Sequence, residues 1–257
     1  MASRLFDLTG RTALVTGSSQ GIGLAIARGL ADAGARIVLN GRDQAKLQAA
    51  AGAFGDAAHD PATGLGVFDV TDPEAVEAGV ARIESDIGAI DILVNNAGIQ
   101  RRMPLDEFPV ETWREVMRTN LDSVFFVGQA VGRRMIPRGQ GKIINIASLQ
   151  SEVGRPTIAP YAASKGAVKM LTRGMCADWA KHGLQINAIG PGYFETELNR
   201  PLREDPVFDA WLRGRTPAGR WGRVEELHGA AVFLASRASD FMNGQVIYVD
   251  GGVLSVL

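Results

Sequence analysis

Tyr161-Ala-Ala-Ser-Lys165 places a phenol and an ammonium four positions apart. On a helix such positions share one face, so both side chains can act on the same bound molecule. A phenol with a reference pKa of about 10 is a weak acid and a weak base near neutrality, and a neighbouring ammonium favours its phenolate. The pair therefore reads as an acid/base device in which Lys165 tunes Tyr161. Ser148 closes the apolar run from Lys142, which reads as a buried strand. Its hydroxyl then falls at a strand's carboxyl end, where ligands bind in open α/β sheets.

These groups need a scaffold, and the chain supplies one. Thr12 to Thr16 is a short apolar run, followed by Gly17-Ser-Ser-Gln-Gly21-Ile-Gly23 and a helical pattern from Leu24 to Ala33 that stops at Gly34. Strand, glycine turn and helix in that order let backbone N–H groups and a helix N-terminus approach a pyrophosphate. The next strand, Ala35 to Asn40, ends in Gly41-Arg42 where a carboxylate would mark NAD. An arginine there suits a ribose 2′-phosphate, hence NADP, unless it simply pairs with Asp43. A third strand is expected over Gly66 to Asp69, with Thr71-Asp-Pro-Glu74 at capping-box spacing for the helix that follows. Asp69 would meet an adenine or assist the cap.

Ile90 to Val94 reads as a fourth strand ending in Asn95-Asn-Ala-Gly98, where small and amide-bearing residues permit close approach of a cofactor. A long helix is expected from Trp113 to Met135, with an apolar stripe broader than one sheet face requires, as for packing against another subunit. Asn120 interrupts its core-facing side, as a satisfied core amide or a site residue. Leu184 to Ile189 precedes Gly190-Pro-Gly192, and the aperiodic stretch of about 193–221 suggests a binding lid with short helices. A helix over Val224 to Ala235 and a strand over Gln245 to Asp250 complete the chain. The alternation over 1–257 implies a single α/β domain, a doubly wound, parallel, seven-stranded Rossmann-type sheet with helices on both faces.

Composition excludes several classes. The 257 residues carry 27 basic and 28 acidic side chains, interspersed, which is not the profile of a nucleic-acid-binding surface. Cys176 is the only cysteine, so no internal disulfide forms, and it reads as a small core residue. His59, His182 and His228 lack metal-ligand spacing, so no metal site is expected. Without an apolar leader or a membrane-length run, the expectation is a soluble cytoplasmic protein.

With Thr16-Gly17-x-x-x-Gly21-Ile-Gly23, Asn95-Asn-Ala-Gly98, Asn120, Ser148, Tyr161-x-x-x-Lys165 and Pro191-Gly192 in order, the chain resembles the short-chain dehydrogenase/reductase family from end to end. The resemblance implies that Tyr161 gives a proton to a substrate carbonyl oxygen as hydride arrives from a nicotinamide. Ser148 would hydrogen-bond that oxygen, Lys165 would also bind the nicotinamide ribose, and Asn120 would hold a relaying water. Cofactor contacts would come from Gly17, Ser19, Gln20, Gly21, Ile22, Gly23, Asn40, Arg42, Asp69, Val70, Asn96, Ala97, Gly98, Tyr161, Lys165, Pro191, Gly192 and Thr196. The family resemblance also implies a homotetramer.

Gly98-Ile-Gln-Arg-Arg102, Met135-Ile-Pro-Arg138, Lys165-Gly-Ala-Val-Lys169 and Thr216-Pro-Ala-Gly-Arg-Trp-Gly222 are similar to family members that interconvert D-gluconate and 5-keto-D-gluconate, mostly with NADP. A sugar acid needs a cation and convergent donors: Arg101 and Arg102 are placed as a carboxylate partner, or are solvated loop residues. Gln150, Glu152 and Arg155 flank Ser148 and could meet hydroxyls, or belong to a polar turn. The same chemistry on another substrate, as in a 2-deoxygluconate 3-dehydrogenase or a 3-oxoacyl-thioester reductase, is the alternative. A nucleotide-sensing protein without catalysis would not need Tyr161, Lys165, Ser148 and Asn120 together.

Overall fold

In the computed structural model, residues 5–52, 54 and 64–256 are described. Seven parallel strands form one sheet in the order β3-β2-β1-β4-β5-β6-β7. They are β1 Thr12–Val15, β2 Arg36–Gly41, β3 Gly64–Val67, β4 Ile92–Asn95, β5 Gly141–Ile146, β6 Leu184–Pro191 and β7 Val246–Val249. The central strands are apolar on both faces because helices cover both, as parallel crossovers require.

One apolar layer joins the sheet to α1 (Gly21–Asp32) and α9 (His228–Ala235) through Ile26, Leu30, Ala231 and Leu234. The opposite layer joins it to α3 (Pro73–Asp86), α5 (Ser123–Arg138) and α6 (Ala159–Trp179) through Val80, Val127, Val131 and Val168. The helix α2 (Gln44–Gly52), for which the sequence pattern offered no distinct signal, follows β2 and buries Leu47 and Ala50. The segment after β6 holds α7 (Arg200–Arg203) and α8 (Pro206–Arg215).

Several local expectations shift. Ile90 lies outside β4 because its N–H is taken by the Glu84 carboxylate at 3.1 Å. β3 ends at Val67, two residues short of Asp69, whose carboxylate accepts the Thr71 N–H and hydroxyl and turns the chain. The cap of α3 is Asp72, not Thr71: its side chain accepts from Glu74 N and Ala75 N, with Pro73 at the first helical position. The expected helix from Trp113 runs from Val110, as α4 (Val110–Met117), and continues into α5 through one π turn, Arg118–Asp122. Asn120 sits in that turn, the kind of helix irregularity that accompanies functional sites. The expected helix from Val224 begins as a 3₁₀ turn, with its α-helical part confined to α9. His59 lies outside the described residues.

In the sheet order, β1, β4, β5 and β6 are neighbours, so the segments leaving their carboxyl ends meet along one edge. Helix α6 must reverse into β6 within a few residues, and Gly183 makes that turn with φ +79. A Cβ there would lie 2.1 Å from the Gly139 carbonyl oxygen. Gly183→Ala should therefore destabilise the fold by at least about 2 kcal/mol, measured as a lowered urea midpoint.

Candidate active site

The glycine turn forms because only glycine fits it. Gly17 and Gly21 both have φ +59, and a Cβ on Gly23 would meet Asn96 Nδ2 at 2.4 Å and the Gly17 oxygen at 2.6 Å. The Thr16 hydroxyl ties this turn to the next by accepting from Asn96 N at 2.9 Å and Ala97 N at 3.1 Å. Asn96 Nδ2 donates to the Thr16 and Gly17 carbonyls. At the start of α1, Gln20 makes no side-chain cap, which leaves the first N–H groups of the helix available to an anion.

These turns border a groove of about 540 Å³. Gly17, Ser19, Gln20, Gly21, Ile22, Gly23, Asn40, Arg42, Asp69, Val70, Asn96, Ala97, Gly98, Tyr161, Lys165 and Thr196 all line it. Asn40 contributes as a brace, since its Nδ2 donates to the Gly66 and Phe68 carbonyls. Arg42 is paired with Asp69 at 3.7 Å rather than with Asp43. Burial raises the Asp69 pKa, but the Thr71 hydrogen bonds and Arg42 outweigh it and hold the carboxyl below its usual range. Lys46, in the first turn of α2, lines the same end of the groove. It is a second cation that was hidden because α2 gave no clear signal in the sequence. The groove fits a phosphorylated dinucleotide, with an uncapped helix start, a glycine cradle that side chains would fill, and cations at one end.

A smaller pocket of about 80 Å³ adjoins it, lined by Ser148, Gln150, Arg155, Tyr161, Pro191, Gly192, Tyr193 and Thr196. Tyr161 and Thr196 line both spaces. Ser148 caps a 3₁₀ turn, Leu149–Ser151, beyond β5 and accepts the Gln150 N–H at 3.2 Å. Asn120, fully buried, accepts from Ile99 N at 2.7 Å and donates to the Ile99 oxygen and to Ser164 Oγ. It thus fixes the loop after β4 against α6, so it is a satisfied amide within the site's framework.

The Lys165 ammonium is buried and donates to the Ile146 carbonyl at 2.6 Å. Burial pushes its pKa down to about 8. Burial likewise pushes the Tyr161 phenol up, opposed by hydrogen bonding to Ser148 and by the Arg102 charge. Lys165 Nζ lies 5.8 Å from the centre of the Tyr161 ring. The expected lowering of Tyr161 by Lys165 is therefore not what this geometry produces: desolvation dominates, and the ammonium is directed to a backbone oxygen.

The arginines also sort differently from expectation. Arg101 is engaged by Glu115 through two hydrogen bonds, at 2.6 and 3.1 Å, and lines the groove rather than the pocket. Arg102 is partly buried, donates to Gln100 Oε1 at 3.1 Å, and has a buried Nε without a partner. Burial and the neighbouring Arg155 lower its pKa, while Tyr193 and Tyr161 raise it. Arg155 likewise has a buried unpartnered Nε and lies 5.1 Å over the Phe208 ring. Glu152 turns away from the pocket to Lys169 and Tyr248. Tyr193, which the sequence pattern left as part of an aperiodic stretch, accepts from Gln150 Nε2 at 3.3 Å and packs edge-on against Phe208 and Trp221.

A cavity of about 600 Å³ at the amino ends of the strands contains none of these groups, and two ion pairs, Arg11–Asp91 and Lys142–Asp240, line it. Among the described residues no cluster of His, Cys, Asp or Glu could hold a metal, and no helix is long and apolar enough to cross a membrane.

A nucleotide groove opening onto a Ser-Tyr-Lys face defines a dinucleotide-dependent oxidoreductase, and the chain belongs to the short-chain dehydrogenase/reductase family. Residues 17–254 match the family model described as enoyl-(acyl carrier protein) reductase. The chain is 61% identical over 249 residues to a gluconate 5-dehydrogenase of Gluconobacter oxydans, covering 97% of this chain and 96% of that one. It is 53% identical to a 5-keto-D-gluconate 5-reductase of Escherichia coli K12, over 97% of this chain and 98% of that one. A gluconate 5-dehydrogenase from Burkholderia cenocepacia, solved in complex with NADP and tartrate, superposes with a TM-score of 0.97 at 60% identity over the full length of both chains.

Because the Lys165 pKa is depressed when folded, its charge opposes folding fully below about pH 8, and that penalty fades as pH rises toward the unfolded value of about 10.4. Wild type should gain thermal stability relative to Lys165→Met between pH 8 and 10.5 and show no such relative gain between pH 6 and 7.

Proposed function

We propose that this protein interconverts D-gluconate and 5-keto-D-gluconate with NADP. The observation that carries the reading is the position of Tyr161 between the nucleotide groove and a pocket lined by Arg155, whose buried Nε has no partner, with the similarly unpartnered Arg102 close enough to feel the Arg155 charge. Two unpartnered donors on two adjoining guanidiniums suit a carboxylate, which guanidinium groups bind in bidentate fashion. The relatives named for gluconate and 5-ketogluconate support the same substrate.

The groove residues would hold NADP, which would supply a hydride acceptor in oxidation and, as NADPH, a hydride donor in reduction. Arg42 and Lys46 would hold the 2′-phosphate, and the open start of α1 would hold the pyrophosphate. Tyr161 gives its proton to the carbonyl oxygen in reduction and takes it back in oxidation. Ser148 donates to that oxygen and steadies its developing charge. Lys165 orients the ribose and carries a positive charge beside the phenol that a rising negative charge on Tyr161 would favour. Asn120 keeps the loop after β4 and α6 in register for a proton path to solvent.

At about 80 Å³ the pocket is well below the roughly 300 Å³ of an ordinary ligand site, which supports a lid at 193–221 that moves on substrate entry. We infer a homotetramer in the cytoplasm. Exposed Trp113 and Phe125 on the long helix and Met170 on α6 support subunit contacts, and a lone cysteine suits a reducing compartment.

Initial rates of D-gluconate oxidation with NADP and with NAD, with the product ketone located by NMR, test this reading. NADP-preferring formation of 5-ketogluconate is expected. Oxidation at another carbon, or no turnover of gluconate, would overturn it.

A further inference from the structure

Ser148 has one proton and two oxygens that can take it. Its hydroxyl donates to Gln150 Oε1 at 2.9 Å, and it lines the same small pocket as Tyr161, whose pKa it lowers. The Gln150 carboxamide is buried, 8% exposed, and its other end is fixed because Nε2 donates to Tyr193 OH at 3.3 Å. Gln150, expected to contact a substrate hydroxyl, is thus engaged at both ends by the protein. Tyr193 in turn belongs to the segment after β6, packed against Phe208 and Trp221, while Arg155 lies over the same Phe208.

We propose that Gln150 and Tyr193 are positioning residues that set the direction of the Ser148 proton, linking the segment after β6 to the catalytic serine through one carboxamide. While Tyr193 holds the amide end, Oε1 faces Ser148 and retains its proton, and Tyr161 stays protonated. When the segment shifts and Tyr193 withdraws, the carboxamide loses its anchor. The Ser148 proton is then free to turn toward the Tyr161 oxygen or the substrate oxygen. The proton thus reaches the reacting centre only when the segment has responded to substrate. This deepens the oxidoreductase reading and rests on it.

Besides Ser148, the groups facing the Tyr161 hydroxyl are Lys165 one turn along α6, Arg102 from the loop after β4, and Tyr193 from beyond β6. Gln150→Leu leaves Lys165 and Arg102 in place and takes only the amide donor from Tyr193, so the shift that both single variants share reports the Ser148 proton. Tyr193→Phe removes one neutral hydroxyl and keeps the ring.

The test is the pH profile of kcat/KM for NADP-linked oxidation in wild type, Gln150→Leu, Tyr193→Phe and the double variant, with NADPH binding and thermal unfolding checked for each. Wild-type turnover of gluconate decides the substrate reading by itself. The relay is decided by differences among the four profiles, which can be read on any alcohol that wild type oxidises. Each single variant should move the acidic limb, where Tyr161 must be deprotonated to act as the base, down by roughly half to one pH unit, the size of one hydrogen bond, and the double variant should move it no further. Unmoved limbs with lower rates, or shifts that add in the double variant, would overturn the proposal. If Gln150→Leu does not fold, Tyr193→Phe alone decides, since an unmoved limb in that variant contradicts it.

Discussion

A buried ammonium governs the architecture of this site. Lys165, 4% exposed, donates to the carbonyl of Ile146 at the end of β5, while its own carbonyl accepts the Ser151 hydroxyl at 2.9 Å. The Ser151 oxygen in turn accepts the Ser148 N–H at 3.3 Å. Strand end, serine turn and α6 are therefore locked together by a few polar contacts in a dry environment, where each is strong and each would be costly to leave unmade. A charge so desolvated is weak evidence for stability, which makes a functional reason the better explanation for its presence.

Around that lock, sheet order does the assembly. Adjacent β1, β4, β5 and β6 bring the glycine turn, the Asn95–Gly98 turn, Ser148 and Pro191-Gly192 to a common edge. Thr16 and Asn96 bind two of these turns to each other, and Asn120 binds the loop after β4 to α6 from its π turn. The result is a long polar groove meeting a small pocket at one phenol. Chemistry confined to that junction needs both ligands present, the proximity on which a direct hydride transfer depends.

The sequence made the scaffold and the clustering of Ser148, Tyr161 and Lys165 legible because periodicity and glycine-rich turns are local signals. Long-range partners were not legible. Arg101 and Arg102 are neighbours in sequence, but Glu115 claims the first and Arg155 approaches the second. Gln150 and Glu152 flank Ser148 alike, yet the turn sends one into the pocket and the other to Tyr248 on β7. Tyr193 showed no periodic signal because aromatic packing fixes the segment after β6. The tuning of Tyr161 is not legible in the sequence because burial, which a sequence does not show, is the largest influence on its phenol and pushes its pKa up.

In the proposed reaction Tyr161 transfers the proton while the groove binds nucleotide independently of it. Single-turnover reduction of 5-ketogluconate by Tyr161→Phe, alongside NADPH binding by fluorescence, tests it directly. A loss of at least about a hundredfold in the reduction rate with unchanged NADPH affinity is the predicted result. Reduction at the parent rate would contradict the assignment of Tyr161 and the mechanism built on it.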